Sequence, residues 1–281
     1  MTVRSVQKNI INLSGYLFTP LEPQVLQPLI KEEGIALNVK GTVLLSNEGI
    51  NCFVAGTPDS LEKFSEILFK KAAIPQFELK KSYSDYQPFK RFLVKVKKEI
   101  ISTGRDDLHP ELAQAPYIES KELKKFYDEK KDFIILDTRN DYEIELGKFK
   151  DAVDLNVTSF RRFIAKVEEM PEEWKTKTVV TYCTGGIRCE KAALFMQQKG
   201  FQDVRQLHGG ILKYFEDCGN EHYEGECFVF DKRIGVDASL IETDTTQCYA
   251  CRAPLLPEDV KSHYYVMGES CPKCKKIELK A

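Results

Sequence analysis

The stretch VVTYCTGGIRCEKAALFMQQKGFQDVRQLHGG, Val179 to Gly210, changes its hydrophobic period twice and so decides the fold of the larger part of the chain. "TVVTYC" is a β-branched run of strand length, "CEKAALFMQQKG" has helical spacing with Gly200 just past its end, and "DVRQLHG" is strand-like again. Strand, helix and strand in that order imply parallel strands joined by a crossover helix. The alternation continues on both sides. "KELKKFYDEKK", "SFRRFIAKVEEM" and "GILKYFEDC" are helical and "FIILDTR" is a buried strand, which predicts an α/β domain with a parallel sheet covered on both faces over residues 117–222.

Ahead of this domain the order differs. Asn9 to Phe18 reads as a strand, "PLEPQVLQPLIKEEG" as a helix ended by Gly34, and "ALNVKGTVLLSNEGINCFVAG" as two strands turning at Asn47 to Gly49. "TPDSLEKFSEILFKKAA" puts Leu61, Phe64, Ile67 and Leu68 on one helical face, and "FELKKSYSDYQPFKRFLVKVKKEI" supplies extended segments. The order β, α, β, β, α, β belongs to a split βαβ unit, so residues 1–104 are expected to form a ferredoxin-like (acylphosphatase-like) α+β domain. "TGRDDLHPELAQAP" is aperiodic and rich in turn formers, which places the linker at 105–116. Residues 223–281 read as a C-terminal extension ending in "CYAC" and "CPKC".

With 42% hydrophobic and 30% charged residues, the composition excludes disordered and fibrous classes, and 281 residues suffice for two cores. No apolar run approaches the roughly 18 residues of a membrane span, and "MTVRSVQKNIINLSG" lacks a leader's hydrophobic stretch. A cytoplasmic location without a membrane partner is therefore expected. Nine cysteines, all but Cys52 lying at Cys183 or beyond, suit reduced thiols with catalytic or metal roles better than a disulfide scaffold.

The total charge is -2, but between Lys70 and Lys98 nine Lys or Arg face Glu78 and Asp85, a local +7 that leaves about -9 elsewhere. Lys80, Lys81, Lys90, Arg91, Lys95 and Lys97 are the candidate contacts for a nucleic-acid polyanion. Tyr83, Tyr86, Phe89 and Phe92 beside them serve either base stacking or the core, and a solvated lysine-rich face is the plainer alternative.

In an open parallel sheet, chemistry gathers at the C-terminal ends of strands. Cys183 stands at such an end, before Thr184, Gly185, Gly186 and Ile187. The glycines let backbone N–H groups converge, the next helix directs its positive end to the same spot, and Arg188 adds a permanent cation. Thiolate is thereby favoured over thiol. Cys183 is the candidate nucleophile and Arg188 the candidate stabiliser of developing negative charge; a small buried residue closing a strand is the alternative reading of Cys183. Cys189, in the first turn of the helix, either resolves an oxidised Cys183 or packs, and packing is the expectation because helix geometry restricts its reach back. No dinucleotide fingerprint or iron facial triad is evident, so no nucleotide cofactor is expected.

"YCTGGIRCEKAALFMQQKGFQDVRQLHGGI" resembles the active-site half of a rhodanese domain, and "ILDTRNDYEIELGKFKDAVDLN", with Asp137, Arg139, Glu143 and Gly147, resembles its other signature. In that family the loop cysteine carries a persulfide. Cys183 to Arg188 spans six residues, as in the sulfurtransferases, whereas the related phosphatase loop is one residue longer. Asp137 and Arg139 are expected to support the loop through an internal ion pair. With "NEGINCFVAGT" and "GECFVFDKRIGV" added, nearly the whole chain is similar to the bacterial tRNA uridine 5-hydroxylase family. This resemblance implies oxygen-dependent hydroxylation of the anticodon wobble uridine to 5-hydroxyuridine, with molecular oxygen as co-substrate and a tRNA anticodon stem-loop as partner. It also implies an essential loop cysteine; whether that cysteine works as thiolate, adding to C6 of the uracil ring, or as persulfide stays open. The rivals are a rhodanese-type sulfurtransferase carrying a cysteine persulfide and a non-catalytic RNA-binding adaptor. The choice of tRNAs and the oligomeric state are open at this level.

Cys248-x2-Cys251 and Cys271-x2-Cys274, separated by 19 residues, have the spacing of a structural zinc site of four thiolates. Zinc there would staple a tail too short for its own core. His109, His208, His222 and His263 are isolated, Cys52 reads as core, and Cys218 and Cys227 are undecided.

Overall fold

The computed structural model describes residues 9–278; the leader-free reading of residues 1–8 lies outside the described residues. Two compact units divide between Gln114 and Ala115. Among the described residues no helix is long and apolar enough to cross a membrane.

The first unit runs β1 (Ile10–Phe18), α1 (Pro23–Ala36), β2 (Lys40–Ser46), β3 (Gly49–Gly56), α2 (Pro58–Glu66), β4 (Lys80–Ser84) and β5 (Phe92–Val96). Its sheet order is β4-β1-β3-β2-β5, antiparallel except for the parallel pair β2 and β5. This is the ferredoxin-like arrangement the element order predicts, with β5 added at one edge. The period-two pattern of the strands sends Leu13, Val43, Leu45, Ile50, Cys52 and Val54 into one core with Ile30, Leu61, Phe64 and Leu68. α2 starts where Thr57 accepts a hydrogen bond from the Ser60 N–H, with Pro58 in the first turn.

One expectation is corrected here. Gly34 does not end its helix; it lies inside α1, which stops at Ala36, and Asn38 takes the left-handed conformation that breaks the chain. Gly34 is a point of close approach instead. A Cβ there would sit 2.3 Å from a ring carbon of Phe92, whose ring also meets Phe64 edge-on. Phe92 is therefore core, while Tyr83 and Tyr86 from the same aromatic cluster are exposed.

The second unit runs β6 (Tyr117–Ile118), α3 (Ser120–Asp128), β7 (Ile134–Asp137), α4 (Asp141–Ile144), β8 (Gly147–Phe149), α5 (Phe160–Val167), β9 (Thr178–Tyr182), α6 (Ile187–Gln198), β10 (Asp203–Leu207), α7 (Gly210–Cys218) and β11 (Tyr223–Gly225). β6, β10, β9 and β7 form a parallel sheet in that order, as the strand–helix alternation predicts. Val179, Val180, Thr181 and Tyr182 are all fully buried, which a strand covered on both faces requires. The core does not stop at residue 222. β11 pairs antiparallel with β8, and Tyr223, Cys227, Val229 and Val236 share one cluster with Val180, Leu207 and Tyr214. Phe149 organises it, with the rings of Tyr182, Tyr214 and Tyr223 edge-on at 4.8, 4.7 and 5.2 Å.

At Gly34 two effects oppose each other. Ala is the better helix former by about 1 kcal/mol, but the clash with Phe92 is an overpacking cost of about 1–3 kcal/mol. Gly34→Ala is expected to lower stability, read as a lower urea midpoint at unchanged slope; a raised midpoint would show that Phe92 moves aside freely.

Candidate functional site

Cys183 follows the last residue of β9, and the chain turns through Thr184, Gly185 and Gly186 before α6 begins. Gly186 caps the helix with φ 105°, a left-handed value that glycine adopts without strain. The turn brings the Gly186 N–H to 3.1 Å from the Cys183 sulfur, and the Arg188 N–H also donates to it. From behind, α7 closes the loop. The N–H groups of Ile211 and Leu212 donate to the carbonyls of Cys183 and Thr184, and a Cβ at Gly210 would lie 2.4 Å from the Cys183 carbonyl oxygen. A Cβ at Gly185 would meet nothing within 4 Å, so the loop faces open space on that side.

Cys183 as a residue is 1% exposed. Burial alone would raise its pKa. The Cys189 thiol, the Arg188 guanidinium and the two backbone N–H groups outweigh burial and hold Cys183 well below the ordinary thiol value. Cys189 is the opposite case: burial and its position as donor to Cys183 push it far up. Cys189 is fully buried, as the packing expectation has it, and its thiol is in addition turned toward Cys183. The three-residue turn folds α6 back over the strand end, so the third helical residue reaches the sulfur at the end of β9. The Cys189 sulfur also lies 3.7 Å from the Thr138 hydroxyl.

Arg188 is not left to face the sulfur alone. Both of its terminal nitrogens donate to the Glu143 carboxylate at 2.6 Å, and both side chains are buried. Glu143 is fixed in turn by the Asn140 N–H, which donates to it from the N-terminus of α4. Beside it lies a second buried pair. Arg139 donates to Asp137 at 2.6 and 2.9 Å and to the Gly147 carbonyl at 2.7 Å. Glu143 appears in the sequence only as part of a signature. Its pairing with Arg188 joins positions 45 residues apart and has no local spacing signal; only the acidic residue in a capping pattern marks it.

A segment after β11 covers the loop. The Thr184 hydroxyl donates to the Phe228 carbonyl at 3.3 Å, Phe228 meets the Tyr142 ring at 5.2 Å, and the Phe230 ring lies 5.8 Å from the Arg188 guanidinium carbon. Beyond it opens a cavity of about 710 Å³ lined by Tyr142, Glu145, Phe230, Arg252, Lys273 and Cys274 among others. Lys273 closes one side by pairing with Glu145 at 2.5 Å.

The four tail cysteines converge. The sulfurs of Cys248, Cys251, Cys271 and Cys274 all lie within 4.8 Å of one another, and Cys271 is 3.7 Å from both Cys251 and Cys274. A tetrahedron with metal–sulfur bonds of about 2.3 Å has edges of about 3.8 Å. Backbone N–H groups point at the sulfurs, Cys271 to Cys274 at 3.1 Å and those of Cys251 and Ala250 to Cys248. This donor set could hold a tetrahedral thiophilic cation.

The candidate nucleic-acid contacts do not gather in one patch. Lys80 and Lys81 lie on β4 and Lys95 on β5, the two opposite edges of the first unit's sheet, with Lys97 just after β5. Lys90 and Arg91 precede β5 and are exposed. Three intervening strands separate the edges by roughly 19 Å.

Two family models match: an UPF0176 acylphosphatase-like domain over residues 10–100 and a rhodanese-like domain over residues 119–217. Among curated proteins, the chain is 44% identical over 276 residues to the tRNA uridine(34) hydroxylase of Paraburkholderia xenovorans, covering 95% of this chain and 96% of that one. It is 44% identical to the protein of that name from Cupriavidus necator, over 94% of this chain and 96% of the other. With the one from Ralstonia nicotianae it shares 42% over 97% of this chain and 99% of the other.

The depressed Cys183 pKa keeps the thiolate populated below the pH at which ordinary thiols protonate. Iodoacetamide is therefore expected to modify Cys183 with a pH–rate profile displaced well below that of a free thiol, whereas Cys52 and Cys227, pushed up to about 12 by burial, stay unmodified. Peptide mass mapping across pH 5 to 9 reads this, and a Cys183 profile matching a free thiol would contradict it.

Proposed function

The chain belongs to the tRNA uridine(34) hydroxylase family, and from that premise we propose that it hydroxylates the wobble uridine of tRNA at C5 with molecular oxygen, through Cys183. The observation that carries the proposal is the loop thiolate, set at a strand end amid N–H donors beside Arg188. An electron-rich sulfur can add to C6 of the uracil ring, which makes C5 an enolate-like carbon able to attack oxygen. The loop N–H groups and Arg188 would balance the charge that moves from sulfur to ring. Glu143 would keep Arg188 oriented, and the Asp137–Arg139 pair would hold the strand end from below. The segment over the loop must yield for a base to enter, and the open side at Gly185 is consistent with entry there.

The partner is a tRNA anticodon stem-loop met in the cytoplasm. The cations on the two edges of the first unit's sheet, Lys80, Lys81, Lys90, Arg91, Lys95 and Lys97, would meet its phosphates from two sides rather than as one strip.

Mass spectrometry of tRNA nucleosides from a deletion strain tests the activity. Wild-type complementation is expected to restore 5-hydroxyuridine and Cys183→Ser to leave it below about 1% of that level. Normal 5-hydroxyuridine with Cys183→Ser would remove the thiol from the reaction.

The tail cysteines support a structural zinc ion held by Cys248, Cys251, Cys271 and Cys274, whose sulfur separations match a tetrahedral site. Bound there, the ion would supply cross-linking rather than chemistry, fixing Arg252 and Lys273 beside the cavity. Purified protein is expected to contain about one zinc per chain, and Cys271→Ser to lose it with increased proteolysis of residues 245–275. A metal-free wild type with a protease-resistant tail would contradict this.

A further inference from the structure

Hydroxylation by molecular oxygen places one oxygen atom on carbon and reduces the other to water, so each turnover consumes two electrons beyond those of the C–H bond. A dithiol closing to a disulfide releases two. Cys183 does not stand alone at the loop. The Gly186 N–H meets its sulfur at 3.1 Å while the Gly186 carbonyl accepts from the Cys189 N–H at 2.9 Å, and the Thr138 hydroxyl, which donates to the Tyr182 carbonyl next to Cys183, lies 3.7 Å from the Cys189 sulfur. Both thiols are buried, with Cys189 placed as donor to Cys183. The remaining described thiols are placed otherwise: Cys52 lies in the other unit's core, Cys218 at the end of α7, and Cys248, Cys251, Cys271 and Cys274 in their own cluster. Cys227 hydrogen-bonds to Thr184 and to the Phe228 carbonyl rather than to Cys183.

We infer that Cys189 is a second catalytic residue, the thiol that reduces the oxygen intermediate and then closes with Cys183 into a disulfide. The inference rests on the covalent reading of Cys183 given above. The Cys183 sulfur bonds to C6, and the electron pair displaced to C5 attacks oxygen to give a C5 peroxide. Cys189 gives its proton to the peroxide and attacks the distal oxygen. The O–O bond breaks, C5 keeps one oxygen as a hydroxyl and Cys189 becomes a sulfenic acid. Loss of the C5 proton expels the Cys183 thiolate from C6 and restores the double bond. Cys183 then attacks the Cys189 sulfur, forming the disulfide and releasing hydroxide that leaves as water. One uracil C–H, one oxygen molecule and two thiols become one C–OH, one disulfide and one water. An external dithiol reductant must reopen the disulfide before the next turnover.

The hydrogen bond between the thiols serves both ends of the cycle. At the start Cys189 stabilises the Cys183 thiolate as donor. Later it stands where the peroxide forms, beside the carbon that Cys183 holds, already carrying the proton the peroxide needs.

The test is a single turnover with full-length reduced protein, freed of small thiols, mixed in air with excess in vitro transcribed tRNA. About one 5-hydroxyuridine per chain is expected, with about two thiols lost per product and a peptide pair linking Cys183 to Cys189. Dithiothreitol should restore repeated turnover, and Cys218→Ser should behave as wild type. Cys189→Ser should still form a Cys183 adduct with 5-fluorouridine-containing tRNA, while its product per chain without reductant falls to below about one tenth. Product formation by wild type without thiol loss, or a wild-type yield from Cys189→Ser, would overturn the role of Cys189. Product from Cys183→Ser would overturn instead the covalent reading on which it rests.

Discussion

A negatively charged sulfur inside a protein must be given everything water would have supplied, and the second unit is arranged around that demand. Cys183 is buried, where a thiolate is strongly disfavoured unless donors and a cation surround it. The loop N–H groups and the Cys189 thiol are the donors, and Arg188 is the cation. A buried arginine creates the same problem with the opposite sign, and Glu143 answers it with two hydrogen bonds of 2.6 Å. Arg139 and Asp137 repeat the pattern next to it. None of these pairs is by itself good evidence of stability, because desolvation offsets most of the attraction. Removing one partner is another matter, since it strands a buried charge at a cost of about 3–5 kcal/mol. Glu143 thereby holds Arg188 in place, and the Arg188 charge is one of the causes that favour the thiolate.

The same demand accounts for the glycines. Gly186 adopts a left-handed φ so that its N–H can turn inward, and Gly210 has no Cβ because the Cys183 carbonyl lies where one would be. It also accounts for the cover. Without the segment through Phe228 and Phe230, the loop would be wet and the cation screened. That segment lies after β11, outside the rhodanese-like match, and it shares the cavity with the cysteine-rich tail. The described residues of the tail thus form part of the wall next to that cover, without joining the parallel sheet.

Both domain folds were legible from periodicity, because β-branched runs, amphipathic helices and element order are local properties. Gly34 shows where locality misleads: a glycine near a helix end resembles a stop signal, but here it makes room for Phe92, 58 positions later. Cys189 is a related case. Its place in the first helical turn suggested packing, and only the tightness of the turn through Thr184, Gly185 and Gly186 brings it to the strand end. The basic run is continuous in sequence yet lies on opposite sheet edges, since strand order is not chain order.

The sequence by itself determined the two fold classes, the identity of the loop thiol, the convergence of donors on it and the four-cysteine tail, because each is written in residues close together along the chain. The tertiary structure decided the partners: Glu143 for Arg188, Cys189 for Cys183, Phe228 and Phe230 as the cover. These pairings depend on which strand ends and helix turns meet in space. That is set by the burial of the whole core, and no short stretch of sequence contains it.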